Sequence, residues 1–311
     1  MARVVYMGTP AFALPPLQAL VEAGHDIVAV VTQPDRPAGR GGRARPGPVK
    51  AWAEAQGLAV WQPERLRGEA VERLRALAPE LIVVAAYGEI LRPEVLAIPP
   101  YGCLNIHASL LPRWRGAAPI VAAILAGDDK TGVTLIRMDA GMDTGPILAQ
   151  QALPLRGQER CGELGARLAE MGAVLLGRVL PEYLAGKVIP EPQDDSQATY
   201  CTVLRKEDGL VDWTRPAAYI ERMVRAYDPW PGAYTFLRGQ RLRIWRAGVL
   251  AEASPYPPGT VWLRDGRALV ATGDGMLALE EVQLAGKRRL SIAEFLRGRP
   301  DLAGARFRNS A

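Results

Sequence analysis

The sequence predicts an α/β fold: a doubly wound, mostly parallel sheet, followed by a smaller C-terminal domain built as an OB-like β-barrel. Three observations carry this. The chain opens with a strand at 3–7, a glycine-led turn at 8–10, helix-spaced apolar residues at 12–23 and a second strand at 27–32. That order begins a parallel sheet with helices on both faces. Residues 81–85 are an unbroken apolar run, as a strand buried on both faces requires. Beyond residue 230, five short alternating segments (233–237, 240–245, 259–263, 267–271 and 276–283) are separated by glycine-rich turns, which suits a small barrel.

The remaining elements follow in order. Apolar spacing predicts helices at 49–56 and 64–77, with a short strand at 59–61 between them. A helix at 117–126, a strand at 131–137 and a long helix at 161–184 complete the first domain. Residues 187–203 are polar and hold two prolines, so they read as a linker. A helix at 216–226 and a turn-rich stretch at 227–232 lead into the barrel, and 301–311 is left as a tail. The expected division is 1–186, a catalytic domain with an inserted basic loop at 33–50; 187–203, the linker; and 204–311, the barrel.

Composition narrows the function. A chain of 311 residues, 49% apolar, is long enough for two cores. Its three cysteines are far apart and form no C-x-x-C, so neither a disulfide framework nor a zinc site is indicated. This suits a reducing, cytoplasmic setting. The N-terminus enters a strand pattern at once, unlike a signal peptide. No apolar run is long enough to span a membrane. Net charge is +5, unevenly spread. Residues 36–50 carry five basic side chains and no acid; the rest of 1–185 is −4, and 186–311 is +4. A polyanion suits that distribution, against the plainer reading of a solvated charged surface.

The chemistry centres on 103–116, where a strand runs into a loop rich in proline, arginine and glycine. Alternation along the strand puts Asn105 and His107 on one face, with Leu104 and Ile106 on the other. Ligands of open α/β sheets gather at such strand ends. An amide that can donate to a developing oxyanion and an imidazole that can move a proton suit attack on a carbonyl. A lone histidine there is more often structural. The Gly8-Thr9-Pro10 turn lacks the second and third glycines of a dinucleotide fingerprint, so NAD is not expected.

Asn105-Ile-His107-Ala-Ser109-Leu-Leu-Pro112, with Arg115-Gly-Ala-Ala-Pro119 after it, closely resembles the signature of folate-dependent formyltransferases. Asp139-Ala-Gly-Met-Asp143-Thr-Gly145 resembles that family's second signature. The resemblance implies a formyltransferase (Rossmann-like) catalytic domain in which Asn105, His107 and Asp143 are catalytic. It implies 10-formyltetrahydrofolate as formyl-donor co-substrate and no metal. Ser109, Leu110, Leu111 and Pro112 would contact the folate, and the turn at Tyr87, Gly88 and Ile90 would line the pterin pocket through backbone groups.

Among these enzymes the chain is most similar to those that formylate the amino group of methionine on initiator tRNA in translation initiation. Residues 34–41 match their tRNA-gripping loop letter for letter; Gly42 and Arg43 then stand where lysines are frequent. The resemblance thus implies initiator methionyl-tRNA as partner, bound by Arg36, Arg40, Arg43, Arg45, Lys50 and Lys206. It implies a monomer, with no membrane partner. Two rivals remain open from the residues alone. One is a formyltransferase acting on a small amine, which leaves the basic loop unexplained. The other is a non-enzymatic RNA-binding protein, which leaves Asn105, His107 and Asp143 without a purpose.

Overall fold

The computed structural model describes residues 1–35 and 45–308. The chain forms two compact units. The first holds residues 1–119, 130–154 and 164–202; the second holds 120–129, 155–163 and 203–311.

The first unit is a seven-stranded sheet. Its strands are β1 (Arg3–Gly8), β2 (Asp26–Val31), β3 (Val60–Trp61), β4 (Leu81–Ala85), β5 (Cys103–His107), β7 (Lys130–Arg137) and β8 (Ile147–Pro154). A short β6 (Arg115–Gly116) lies outside it and pairs in parallel with β9 (Tyr200–Cys201). The sheet order is β3-β2-β1-β4-β5-β7-β8. The first five strands are parallel; β7 pairs antiparallel with β5, and β8 antiparallel with β7. Order reverses between β1 and β4, so the crevice beyond their carboxyl ends is the expected ligand side.

Every residue of β4 is buried, and β1 is buried from Val4 onward, as strands covered on both faces must be. Alternation sorts their side chains. Val5, Met7, Ile82 and Val84 pack with Val71 and Leu74 of α3 (Glu69–Ala76) and Val95 of α4 (Pro93–Leu96). On the opposite face the Tyr6 hydroxyl donates to the Ala13 carbonyl, just before α1 (Leu14–Glu22). Helix α2 (Pro48–Ala55) contacts α1, and Gly172 of α6 (Cys161–Leu184) packs close against Ile106. Helix α5 (Pro119–Ala126) belongs from Ile120 onward to the second unit, not to the first domain as the sequence suggested.

Three sequence expectations change in this unit. The helix predicted at 64–77 begins only at Glu69, after Gly68 at φ +53°. Strand β8 went unpredicted, because an edge strand needs only one buried face and its apolar pattern is weak. The segment read as a linker forms a 3-10 turn (Asp195–Gln197) and β9 within the first unit.

The second unit contains α7 (Ala217–Ala226) packed on an antiparallel sheet of β10 (Tyr234–Leu237), β11 (Gln240–Leu250), β12 (Val261–Arg264), β13 (Arg267–Ala271), β14 (Met276–Leu284) and β15 (Leu290–Ser291). Its order is β10-β11-β14-β13-β12, with β15 on β14 and α8 (Ile292–Gly298) following. Asp265 and Gly266, both at positive φ, make the two-residue turn that joins β12 to β13.

The tail is part of the barrel. Arg306 bridges Thr260, beside β12, and Arg308 bridges Phe236 of β10. Residues 304–308 thus lie along both free edges of the sheet. Phe307 is buried there and stacks on Trp213 with ring centroids 5.3 Å apart.

Candidate active site

Strand β5 ends at the ligand side of the first unit, flanked by β4 and β7. The Asn105 Nδ2 donates to Asp143 Oδ1 at 3.3 Å, and His107 Nδ1 lies 3.6 Å from the same oxygen. The second carboxylate oxygen accepts from the Gly116 backbone N–H at 2.8 Å. Two signature segments separated by 27–38 positions therefore meet at one carboxylate.

His107 is 6% exposed. Its Nε2 lies 2.9 Å from the Trp114 carbonyl oxygen, which can only accept. Nε2 therefore carries a hydrogen, and Nδ1, facing Asp143, is the nitrogen left to exchange a proton. Asp143 has φ +56° and Trp114 φ +60°, so both sit in the left-handed region. Such backbone persists only where surrounding contacts impose it.

The 109–112 turn is held from β7 and β8. The Leu111 amide donates to Thr134 Oγ1 at 3.0 Å, and that hydroxyl donates to the Ser109 carbonyl at 2.7 Å. Gln150 Nε2 donates to the Leu111 carbonyl at 2.7 Å. Ser109 is fully buried, with its hydroxyl given to the Arg113 carbonyl, and Leu111 is buried as well. These two side chains build the turn from inside. Leu110 and Pro112 are only half-buried.

At the reversal point Thr9 straps two crevice loops together. Its hydroxyl donates to the Tyr87 carbonyl at 3.4 Å and accepts from the Gln33 amide at 3.1 Å. The Tyr87 ring points into the core. Ile90 is 68% exposed, a bare apolar surface beside a turn where Ala86 and Gly88 have positive φ. The Tyr87 hydroxyl and one Glu89 carboxylate oxygen are buried without hydrogen-bond partners. The bare Ile90 side chain is the apolar surface this turn offers a flat heterocycle.

Of the residues expected to hold tRNA, Arg36, Arg40 and Arg43 lie outside the described residues. Arg45 is exposed. Lys50 is committed to the base of its loop: the ammonium contacts Asp35 Oδ2 and Gln62 Oε1, each at 2.7 Å. Lys206 is exposed and lines a cavity of about 320 Å³ in the second unit, with Trp230, Arg241 and Arg243. Arg241 lies 3.7 Å from the Tyr234 ring centroid, and Arg243 3.6 Å from that of Trp245. Among the described residues, no group of three His, Cys, Asp or Glu side chains could hold a metal ion, and no helix is long and apolar enough to cross a membrane.

Sequence reasoning missed Gln193, Thr134 and Gln150. Nothing in their local spacing distinguishes them, because each acts across the fold.

Residues 2–180 match the formyl transferase family model, and 203–300 match the formyl transferase C-terminal domain model. The chain is 56% identical to the methionyl-tRNA formyltransferase of Chloroflexus aggregans, over 95% of this chain and 97% of that one. It is 49% identical to that of Geobacter sulfurreducens, over 95% and 93%. The methionyl-tRNA formyltransferase structure from Clostridium thermocellum superposes with TM-score 0.55 at 17% identity, over 91% of this chain and 99% of that one. HypX from Aquifex aeolicus in complex with tetrahydrofolic acid gives TM-score 0.65 at 20% identity, over 95% of this chain and 47% of that one. Likeness at such identities speaks for the fold alone. Both signature segments, the two-unit fold and identity near one half over 95% of the chain agree: the chain belongs to the formyl transferase family, on its methionyl-tRNA formyltransferase branch.

Proposed function

We infer that the protein transfers a formyl group from 10-formyltetrahydrofolate to the amino group of methionine on initiator tRNA. The observation that carries the chemistry is the meeting of Asn105, His107 and Asp143 at the end of β5. The donor supplies a formyl group whose bond to N10 breaks as the bond to the amine forms; one proton leaves the amine and one returns to N10.

Asn105 has two amide hydrogens and spends one on Asp143, leaving the other for the charge that develops on the formyl oxygen. His107, with Nε2 committed to Trp114, offers Nδ1 for the proton that leaves the amine. Asp143 faces that nitrogen and holds the imidazole and the amide in one arrangement. Ile90 and Leu110 give the folate apolar surface, and the 86–90 turn gives it backbone groups. The arginine-lined cavity with Trp230 offers RNA both phosphate contacts and a stacking surface. Arg45, with the 36–44 segment, adds charge to the same task. The reading assigns the chain to the cytoplasm, where initiator tRNA is charged and used, as a monomer.

The test is formyl transfer with initiator Met-tRNA, elongator Met-tRNA and a nucleotide amino-sugar offered in parallel. Transfer to the initiator is expected. Asn105→Ala should lower kcat by about 10²–10³, and His107→Ala by about 10²–10⁴. Near-normal turnover in both would remove the mechanism; transfer only to the sugar would remove the substrate.

A further inference from the structure

We propose that Gln193, gripped by the buried Arg115, is a positioning residue for formyl transfer: it sets the backbone of the 139–145 loop so that the Asp143 carboxylate faces Asn105 and His107. The inference rests on the reading of Asp143 given above.

Gln193 uses its whole amide. Its Nε2 donates to the Asp143 carbonyl and to the Gly145 carbonyl, both at 2.7 Å. Its Oε1 accepts from Arg115 Nε at 3.1 Å and Nη2 at 2.8 Å. The amide can face only this way, because carbonyls only accept and a guanidinium only donates. Arg115 is 1% exposed and is itself fixed by Asp195 at 2.6 Å and the Tyr200 hydroxyl at 3.3 Å.

Arg115 thereby reaches Asp143 by two routes. Through its side chain and Gln193 it holds the Asp143 carbonyl. Through the next backbone amide, Gly116 N–H, it holds the Asp143 side chain. The two bonds from Gln193 bracket Thr144, and the first holds the carbonyl of Asp143 itself, the residue with the left-handed φ of +56°. A carboxylate on such a loop keeps its aim only while the loop does. Displacement of a reacting group by about 1 Å is worth on the order of 10²-fold in rate.

Gln193→Glu is the informative variant. It keeps the size of the side chain and gives Arg115 a charged partner, but replaces the one amide nitrogen that makes both donations with an oxygen that repels the two carbonyls. Gln193→Ala serves as a second variant. For each, kcat, the KM for folate and the KM for tRNA are measured in the native background and with Asp143→Ala. The expected result is a fall in kcat of roughly ten- to a hundredfold, both KM values within about twofold, and no further fall when Asp143 is already alanine. A purely structural role would cost the same factor in both backgrounds, and that result overturns the inference. Native kcat in Gln193→Glu overturns it too. If Asp143→Ala alone turns over normally, the reading of the site falls, and this inference with it.

Discussion

Replacing Gly116 with alanine tests whether the approach of β6 to β9 sets the catalytic geometry. Gly116 has φ +114°, and a Cβ built there would lie 2.1 Å from the Cys201 carbonyl oxygen. Real Cβ contacts stop near 3.0 Å, so the two strands must part by about 0.9 Å. The same shift lengthens the 2.8 Å bond from Gly116 N–H to Asp143 by up to that amount, beyond hydrogen-bond reach. Backbone strain at such a φ costs about 1–3 kcal/mol. A hydrogen bond to a charged group is worth about 1.5–3 kcal/mol. Together they amount to about 2.5–6 kcal/mol, or a fall in Tm of about 5–24 °C for a domain of this size. The assay is thermal unfolding by circular dichroism, paired with single-turnover formyl transfer well below the new Tm. The rate should fall at least about tenfold, because Asp143 has lost a fixed partner. A Tm within about 2 °C of the parent and an unchanged rate would refute the argument that this contact shapes the site.

Two further outcomes follow from the second unit. Phe307→Ala removes a buried ring stacked on Trp213 and should destabilise the barrel by about 3–5 kcal/mol in urea unfolding; a loss under about 1 kcal/mol would mean that the tail is an appendage. Burial works upward on the Glu159 carboxyl, but N–H groups of Arg156, Gln158 and their neighbours outweigh it and hold the group below its usual value. A carboxylate depressed in the folded state stabilises above its unfolded pKa of about 4.3, and the benefit disappears as pH falls through the folded value. Glu159→Gln should therefore lower Tm at pH 7, with the gap to the parent closing below about pH 4. A gap that is constant from pH 7 to pH 3 would assign the loss to packing instead.

How much of this was legible beforehand can be traced residue by residue. The parallel strands could be read because continuous burial leaves a continuous apolar record, as in Leu81–Ala85. Alternation correctly put Asn105 and His107 on one face, because a period of two is a local property of a strand. The glycine-rich turn expected between 259–263 and 267–271 was legible in the same local way, and Asp265 and Gly266 form it. By contrast, 187–203 is polar and contains prolines because it follows an irregular path, not because it is unattached. It is held by side chains, by one bridge from Glu191 to Ile147 and by the two-residue pairing of β9 with β6, and composition does not record such short attachments. The tail misled for a related reason: one buried phenylalanine and a few backbone bonds close the barrel without any periodic signal.

The sequence by itself determined the fold class, a mostly parallel sheet followed by an antiparallel one, and the shared face of Asn105 and His107, because these depend on periodicity and on residue type over short windows. Tertiary structure alone decided which nitrogen of His107 is available, that Ser109 and Leu111 face inward, that Lys50 serves its own loop, and that Gln193 stands behind Asp143. Each of those facts is a hydrogen bond or a contact between segments distant along the chain. Such partners are chosen by the meeting of surfaces in the folded state, and a side chain carries no local mark of the group it will meet there.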